Sequence, residues 1–260
     1  MCIRDRSNES LKVTVMDNPF ELISTSHFIS VAVCILFIVF FPRLFVGKHE
    51  VLLGQLKLTL VLLILSFQII DFYKVVYLFG EPWKTALPLH LCDFSALSIA
   101  GYLMTGNKHL FNFAFFWGIA GAGMAILTPN AVYAFPSIDY LANQYGHTLI
   151  LLGISVAMIV FNERPYAKDI FIIFGFTTLI LIPLYLINYL LEAPANYWYL
   201  LEKPYGNNIM TPLPEAPYHM LYLYPIAFLF FLALYAPYYF KDKMTTSLEP
   251  KISGQSTSAS

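Results

Sequence analysis

Long unbroken apolar runs dominate the sequence and constrain what the chain can fold into. Residues 170–182 read IFIIFGFTTLILI, without a single charge. A hydrocarbon core about 30 Å thick is crossed by about 20 apolar residues in helical form. A helix suits that medium because it pairs its own backbone groups without water. Seven such segments can be drawn, at roughly 23–46, 51–72, 87–105, 109–127, 146–161, 169–191 and 218–240. Pro88 suits a first helical turn, and Pro183 and Pro225 mark expected kinks. A transmembrane β-barrel would alternate polar and apolar residues over segments of about 10 residues, and continuous runs exclude it. The expected fold is therefore all-α, a polytopic transmembrane bundle of seven spans occupying 23–240. The fifth segment is short enough to be re-entrant instead.

Composition agrees: 58% of the 260 residues are hydrophobic and 12% are charged. Soluble domains carry about 25% charged residues, so this chain cannot cover a globular surface in water. A soluble enzyme and a nucleic-acid binder are both excluded, since a net charge of −1 offers no field for a polyanion.

Lysine and arginine set the expected orientation. Arg43, Lys48, Lys108, Arg164, Lys168, Lys241 and Lys243 fall on one side, while Lys74, Lys84 and Lys203 fall on the other. The first side reads as cytoplasmic, which places the N-terminus outside and the C-terminus inside a cell membrane. Residues 1–22 are read as a leader with no signal-peptide h-region. Its first residues, MCIRDR, bear no relation to the pattern that follows and are read as an artefact. Residues 241–260 are Ser/Thr-rich and are expected to form a disordered cytoplasmic tail. Cys2, Cys34 and Cys92 make neither a disulfide framework nor a CxxC metal motif.

Polar groups are expensive inside lipid, so their placement carries information. Asp71 and Lys74 close the second segment; His90, Cys92 and Asp93 open the third. Gln144 and His147 open the fifth, Asn188 and Glu192 close the sixth, and His219 opens the seventh. All lie toward the same, outer side. The competing explanation is that helix ends are wet anyway and that Tyr73, Tyr77, Trp83, Tyr197 and Trp198 form an interfacial aromatic belt. The asymmetry between faces favours a site. Gly118, Gly121 and Gly123, with Ala114, Ala120 and Ala122, read as a surface for close helix packing.

The third segment is the sharpest. His90 and Asp93, three apart, share a helix face, whereas His90 and Cys92 point apart. A base for Cys92 must come from another helix, and His147 is the best placed. A helix N-terminus and an imidazole favour a thiolate, while apolar burial favours the thiol. A Cys–His pair is a workable nucleophile for acyl transfer.

At these residues the sequence resembles a known family. PLHLCDFSAL, then GAGMAILTPN, then the His of YGHTLILLG, then NYWYLLEKP match in order, over roughly 30–240, the bacterial YwaF-type integral membrane proteins. That family is in turn similar to a vertebrate membrane acyltransferase that makes polyunsaturated ether phospholipids. More distantly it is similar to the androgen-induced hydrolases of fatty-acid esters of hydroxy fatty acids. The resemblance implies a catalytic Cys at Cys92 and a catalytic His at His147, where the hydrolases use a Thr and a His. It implies no role for His90, Asp93, Asn188, Glu192 or His219.

Three readings follow. In the first, the protein is a lipid-active acyltransferase or acyl hydrolase without a cofactor. Cys92 attacks an acyl ester, His147 activates it, and the acyl group passes to a lysophospholipid or to water. Gln144, Asn188 or His219 would then be oxyanion donors. In the second, His90, His147 and His219 hold zinc with Asp93 or Glu192, although no HExxH spacing is present. In the third, the polar cluster lines the path of a transporter or receptor. No inverted repeat supports a transporter, and the seventh segment has no lysine for a retinal Schiff base.

Overall fold

A computed structural model describes residues 19–253, except 130, 132 and 205–209. It is all-helical apart from one isolated β-bridge between Pro19 and Tyr133. Seven α-helices follow in order: α1 Thr25–Phe40, α2 Glu50–Tyr73, α3 Leu91–Thr105, α4 Lys108–Leu127, α5 Ile138–Ile159, α6 Ala167–Leu191 and α7 His219–Ser253. Five are long and apolar enough to cross a membrane: α1, α2, α4, α6 and α7. The leader expected at 1–22 falls largely outside the described residues.

Local chemistry sets the helix ends. Ser24, Asn107 and Ser137 cap α1, α4 and α5, each accepting a backbone N–H with its side-chain oxygen. Gly106 ends α3 at φ 70°, a left-handed conformation that glycine adopts without steric cost. Pro183 lies inside α6, which stays continuous.

Three boundaries differ from the expected ones. The fifth segment is not short: α5 has 22 residues and begins at Ile138, so at 1.5 Å per residue it is about 33 Å long. Its first half, IDYLANQYGH, is too polar to register as a span. The third segment starts at Leu91 rather than 87, and Pro88 lies in the preceding loop. Finally, α7 runs on to Ser253, past residue 241 where a disordered tail is expected. Residues 254–260 lie outside the described residues.

The core is built where small residues let helices approach. Ala96, Ile99 and Ala100 of α3, Ala114, Phe116 and Ala122 of α4, and Val156 and Ala157 of α5 are almost completely buried. A Cβ on Gly118 would stand 2.5 Å from Ile154 Cδ1 and 3.3 Å from Ile150 Cγ2, and one on Gly121 would meet Leu91. Gly118 provides the close packing expected of the fourth segment, whereas a Cβ on Gly121 would make only ordinary contact, at 3.6 Å, and Gly123 faces open space. Outer helices are pinned by single polar contacts. Ser155 Oγ donates to the Ile38 carbonyl at 2.8 Å, tying α5 to α1, and Trp117 Nε1 donates to Thr177 Oγ1 at 2.8 Å, tying α4 to α6. On α7, Tyr224 and Phe228 pack against Phe174 of α6.

Gly118→Val should destabilise the protein by about 1–3 kcal/mol through overpacking, measured as a lower melting temperature in detergent. Adding Ile154→Ala should recover part of the loss. A Gly118→Val protein as stable as the parent would show that α4 and α5 are not in this contact.

Candidate functional site

The C-terminal end of α2 and the N-terminal ends of α3 and α5 meet at one end of the bundle. Between them lies a cavity of about 150 Å³. It is lined by Gln68 and Asp71 of α2 and by Lys74 just after it, by Cys92 and Asp93 of α3, and by Asp139, Asn143, Gly146 and His147 of α5. Close approach of α2 and α5 requires Gly146, where a Cβ would fall 2.1 Å from the Phe67 ring. The alignment on α5 follows from helical spacing, since 139, 143, 146 and 147 fall on one face.

The N-terminal turns of α3 and α5 are both engaged at their caps: the Asp93 N–H donates to the His90 carbonyl at 3.0 Å, and the Tyr140 N–H donates to Ser137 Oγ at 3.3 Å. Cys92 occupies the first turn of α3. Its Sγ donates to Asp93 Oδ1 at a long 4.0 Å. The other carboxylate oxygen of Asp93 accepts the backbone N–H of His90 at 2.8 Å. His90 and Asp93 do interact, but through the His90 backbone.

His147 Nδ1 lies 2.7 Å from the Asn143 carbonyl oxygen. A carbonyl only accepts, so this contact assigns the proton to Nδ1 and leaves Nε2 of the neutral ring as an acceptor. No hydrogen bond joins Cys92 Sγ to the imidazole, so the two groups line the cavity without closing on each other. Lys74 is the cation of the lining. Its Nζ lies 2.7 Å from Asp71 and 3.7 Å from Asp139.

The remaining residues expected to support the site lie elsewhere, each with its own task. Gln144 donates to the Ile126 carbonyl at 3.2 Å and faces Cys34. Asn188, fully buried, clamps Tyr197 by donating to its carbonyl at 2.9 Å and accepting its N–H at 2.7 Å. The His90 ring packs on Tyr197 and Tyr199. His219 Nε2 lies 2.8 Å from the Tyr199 carbonyl oxygen. Glu192 ends α6 at φ 58°. His90, Asn188 and His219 thus hold the loop after α6 rather than the cavity. His219 and Glu192 are engaged in that loop, so the zinc set expected from sequence is not assembled around His147. Among the described residues no three His, Cys, Asp or Glu side chains converge to hold a metal ion.

Gln68, Asp139 and Asn143 were not legible as site residues. The 139–143–147 spacing was available in the sequence, but the apolar window began the fifth segment at 146 and placed the first two in a loop.

Asn188→Ala strands both backbone groups of Tyr197 in a buried setting, where an unsatisfied group costs about 1–3 kcal/mol. It should lower the melting temperature and open the 192–200 loop to protease, while Glu192→Ala does neither. Unchanged proteolysis of Asn188→Ala would remove its role as the clamp.

A family model matches residues 22–235, nearly the whole helical region. No curated protein matches the chain. No solved structure matches it. With apolar helices of spanning length and a match over most of its residues, the chain is an integral membrane protein and belongs to the TMEM164 family.

Proposed function

We propose that the protein is a multi-pass membrane enzyme that transfers or hydrolyses acyl groups of lipids, with Cys92 as nucleophile and His147 as general base. The observation that carries this reading is the shared cavity. A thiol from α3 and an imidazole from α5, 55 residues apart in the chain, line the same 150 Å³ space. His147 Nε2 is its free acceptor because Nδ1 is committed to Asn143. The resemblance of the PLHLCDFSAL and YGHTLILLG segments to the YwaF-type proteins and their acyltransferase relatives supports the same pair.

In the reaction, Nε2 takes the thiol proton while sulfur bonds to the ester carbonyl carbon. The tetrahedral intermediate collapses, the carbon–oxygen bond of the ester breaks, and the departing oxygen takes the proton from Nε2. A thioester on Cys92 and a lysolipid remain. The hydroxyl of a second lysophospholipid, or water, then gives its proton to Nε2, attacks the thioester carbonyl and releases the thiol, which recovers the proton. The two groups need to close by a rotamer change when substrate enters, as catalytic contacts in an empty site are commonly long.

Volume restricts what enters. Sites that enclose a drug-sized ligand measure about 300–1,000 Å³, so this cavity takes the ester linkage and leaves the acyl chains in the bilayer. In the proposed topology all seven helices span, with the basic ends of Arg43, Lys108, Arg164 and Lys241 on the cytoplasmic side. The cavity then opens toward the outer leaflet of the cell membrane.

Phospholipids and their lyso forms should change acyl pattern in cells expressing the wild type, read by mass spectrometry. The change should vanish with Cys92→Ala and with His147→Ala at matched folded yield. A change that persists in Cys92→Ala would overturn the thiol mechanism.

A further inference from the structure

We propose that Lys74 is a further catalytic residue, whose ammonium group stabilises the oxyanion formed when a lipid ester is attacked at Cys92. This rests on the acyl-transfer reading above.

Attack on an ester carbonyl moves a π electron pair onto oxygen, and a site that accelerates the step aims a donor at that oxygen. The donors expected from the sequence are committed elsewhere: Gln144 to Ile126, Asn188 to Tyr197 and His219 to Tyr199. Of the cavity's own amides, Asn143 gives its Nδ2 to the Ala125 carbonyl at 2.9 Å, and Gln68 is hydrogen-bonded to the Asp93 carboxyl group. The acidic side chains in the lining, Asp71, Asp93 and Asp139, bring no positive charge to an oxyanion. Lys74 is the cation that shares the lining with both Cys92 and His147.

Its position is built rather than incidental. At Lys74 the backbone leaves α-helical winding and runs as a π-helical turn through Leu78, a feature concentrated at functional sites. The side chain is only 12% exposed, so bulk water screens its charge weakly. Asp71 holds the ammonium from α2 at 2.7 Å, and Asp139 faces it from α5 at 3.7 Å, too far for a hydrogen bond. An ammonium has three N–H donors, and the Asp71 pair uses one. The two carboxylates hold the group at the cavity while leaving capacity to donate.

In the step, Lys74 donates a hydrogen bond to the oxyanion and keeps its proton. The S–C bond forms, Nε2 of His147 holds the thiol proton, and collapse restores the carbonyl and expels the alcohol oxygen, which takes that proton.

The test is single-turnover acylation of the purified protein in lipid nanodiscs, using a phospholipid with a labelled acyl chain. The readout is hydroxylamine-labile label on Cys92, per molecule of monodisperse protein. Lys74→Met should slow acylation at saturating lipid by about 100-fold or more, the usual loss of an oxyanion donor, with half-saturating lipid little changed. Lys74→Arg should retain most of the rate, and Asp139→Asn should cost far less than Lys74→Met. Lys74→Gln replaces Lys74→Met if that variant does not fold, with the same slowing expected. Wild type that never acquires label would overturn the acyl-transfer reading itself. Labelled wild type with an equally fast Lys74→Met or Lys74→Gln would overturn the Lys74 role alone. So would an Asp139→Asn as slow as the Lys74 variant, since that marks a mere helix tie.

Discussion

Everything at the polar end of the bundle follows from one constraint: a charged or hydrogen-bonding group among apolar helices must find its partner within the protein. Lys74 is answered by Asp71 and Asp139, Asp93 by the His90 backbone, and His147 by the Asn143 carbonyl. Each of these pairings also orients a group toward the cavity. The Asn143 contact selects the His147 tautomer, and the ion pairs hold an ammonium against a space lined by a thiol. Satisfaction and preorganisation are therefore the same set of contacts.

Those contacts depend in turn on how closely the helices approach. Gly146 lets α5 come against Phe67 of α2, and Gly118 lets α4 come against Ile150 and Ile154 of α5. The middle of the bundle is buried, with Ala96, Ile99, Ala114 and Val156 sealed from solvent. The cavity lies at the helix ends, between the first turns of α3 and α5 and the last turn of α2. The loop after α6 closes the neighbouring region separately. Tyr197 reaches the Lys84 carbonyl and the Leu87 N–H, and Trp198 reaches the Leu89 carbonyl. That loop buttresses the chain leading into α3, and hence the position of Cys92.

The sequence was informative about length and depth. Apolar run length located the seven described helices, and of the residues clustered in sequence Cys92, Asp93 and His147 line one cavity while His90 does not. It was less informative where a helix begins in polar residues. The first two turns of α5 carry Asp139 and Asn143 and read as loop, since a hydropathy window scores a polar cavity wall and a solvent loop alike. Depth also fails to separate neighbours that face different ways. Gln144 and His147 lie one turn apart, yet Gln144 faces Cys34 and the end of α4 while His147 faces the cavity. Asn188, Glu192 and His219 sit at the same end and serve the α6–α7 loop.

By itself, then, the sequence determined a membrane helix bundle and which end of each helix carries its polar groups. A bilayer is a solvent that varies along one axis, and hydropathy reads position along that axis. Only the tertiary structure decided which groups meet. The rotation of each helix about its own axis depends on where small residues allow contact, and on which partner each buried polar atom finds. Those choices brought Lys74, Cys92, Asp93, Asp139 and His147 around one cavity.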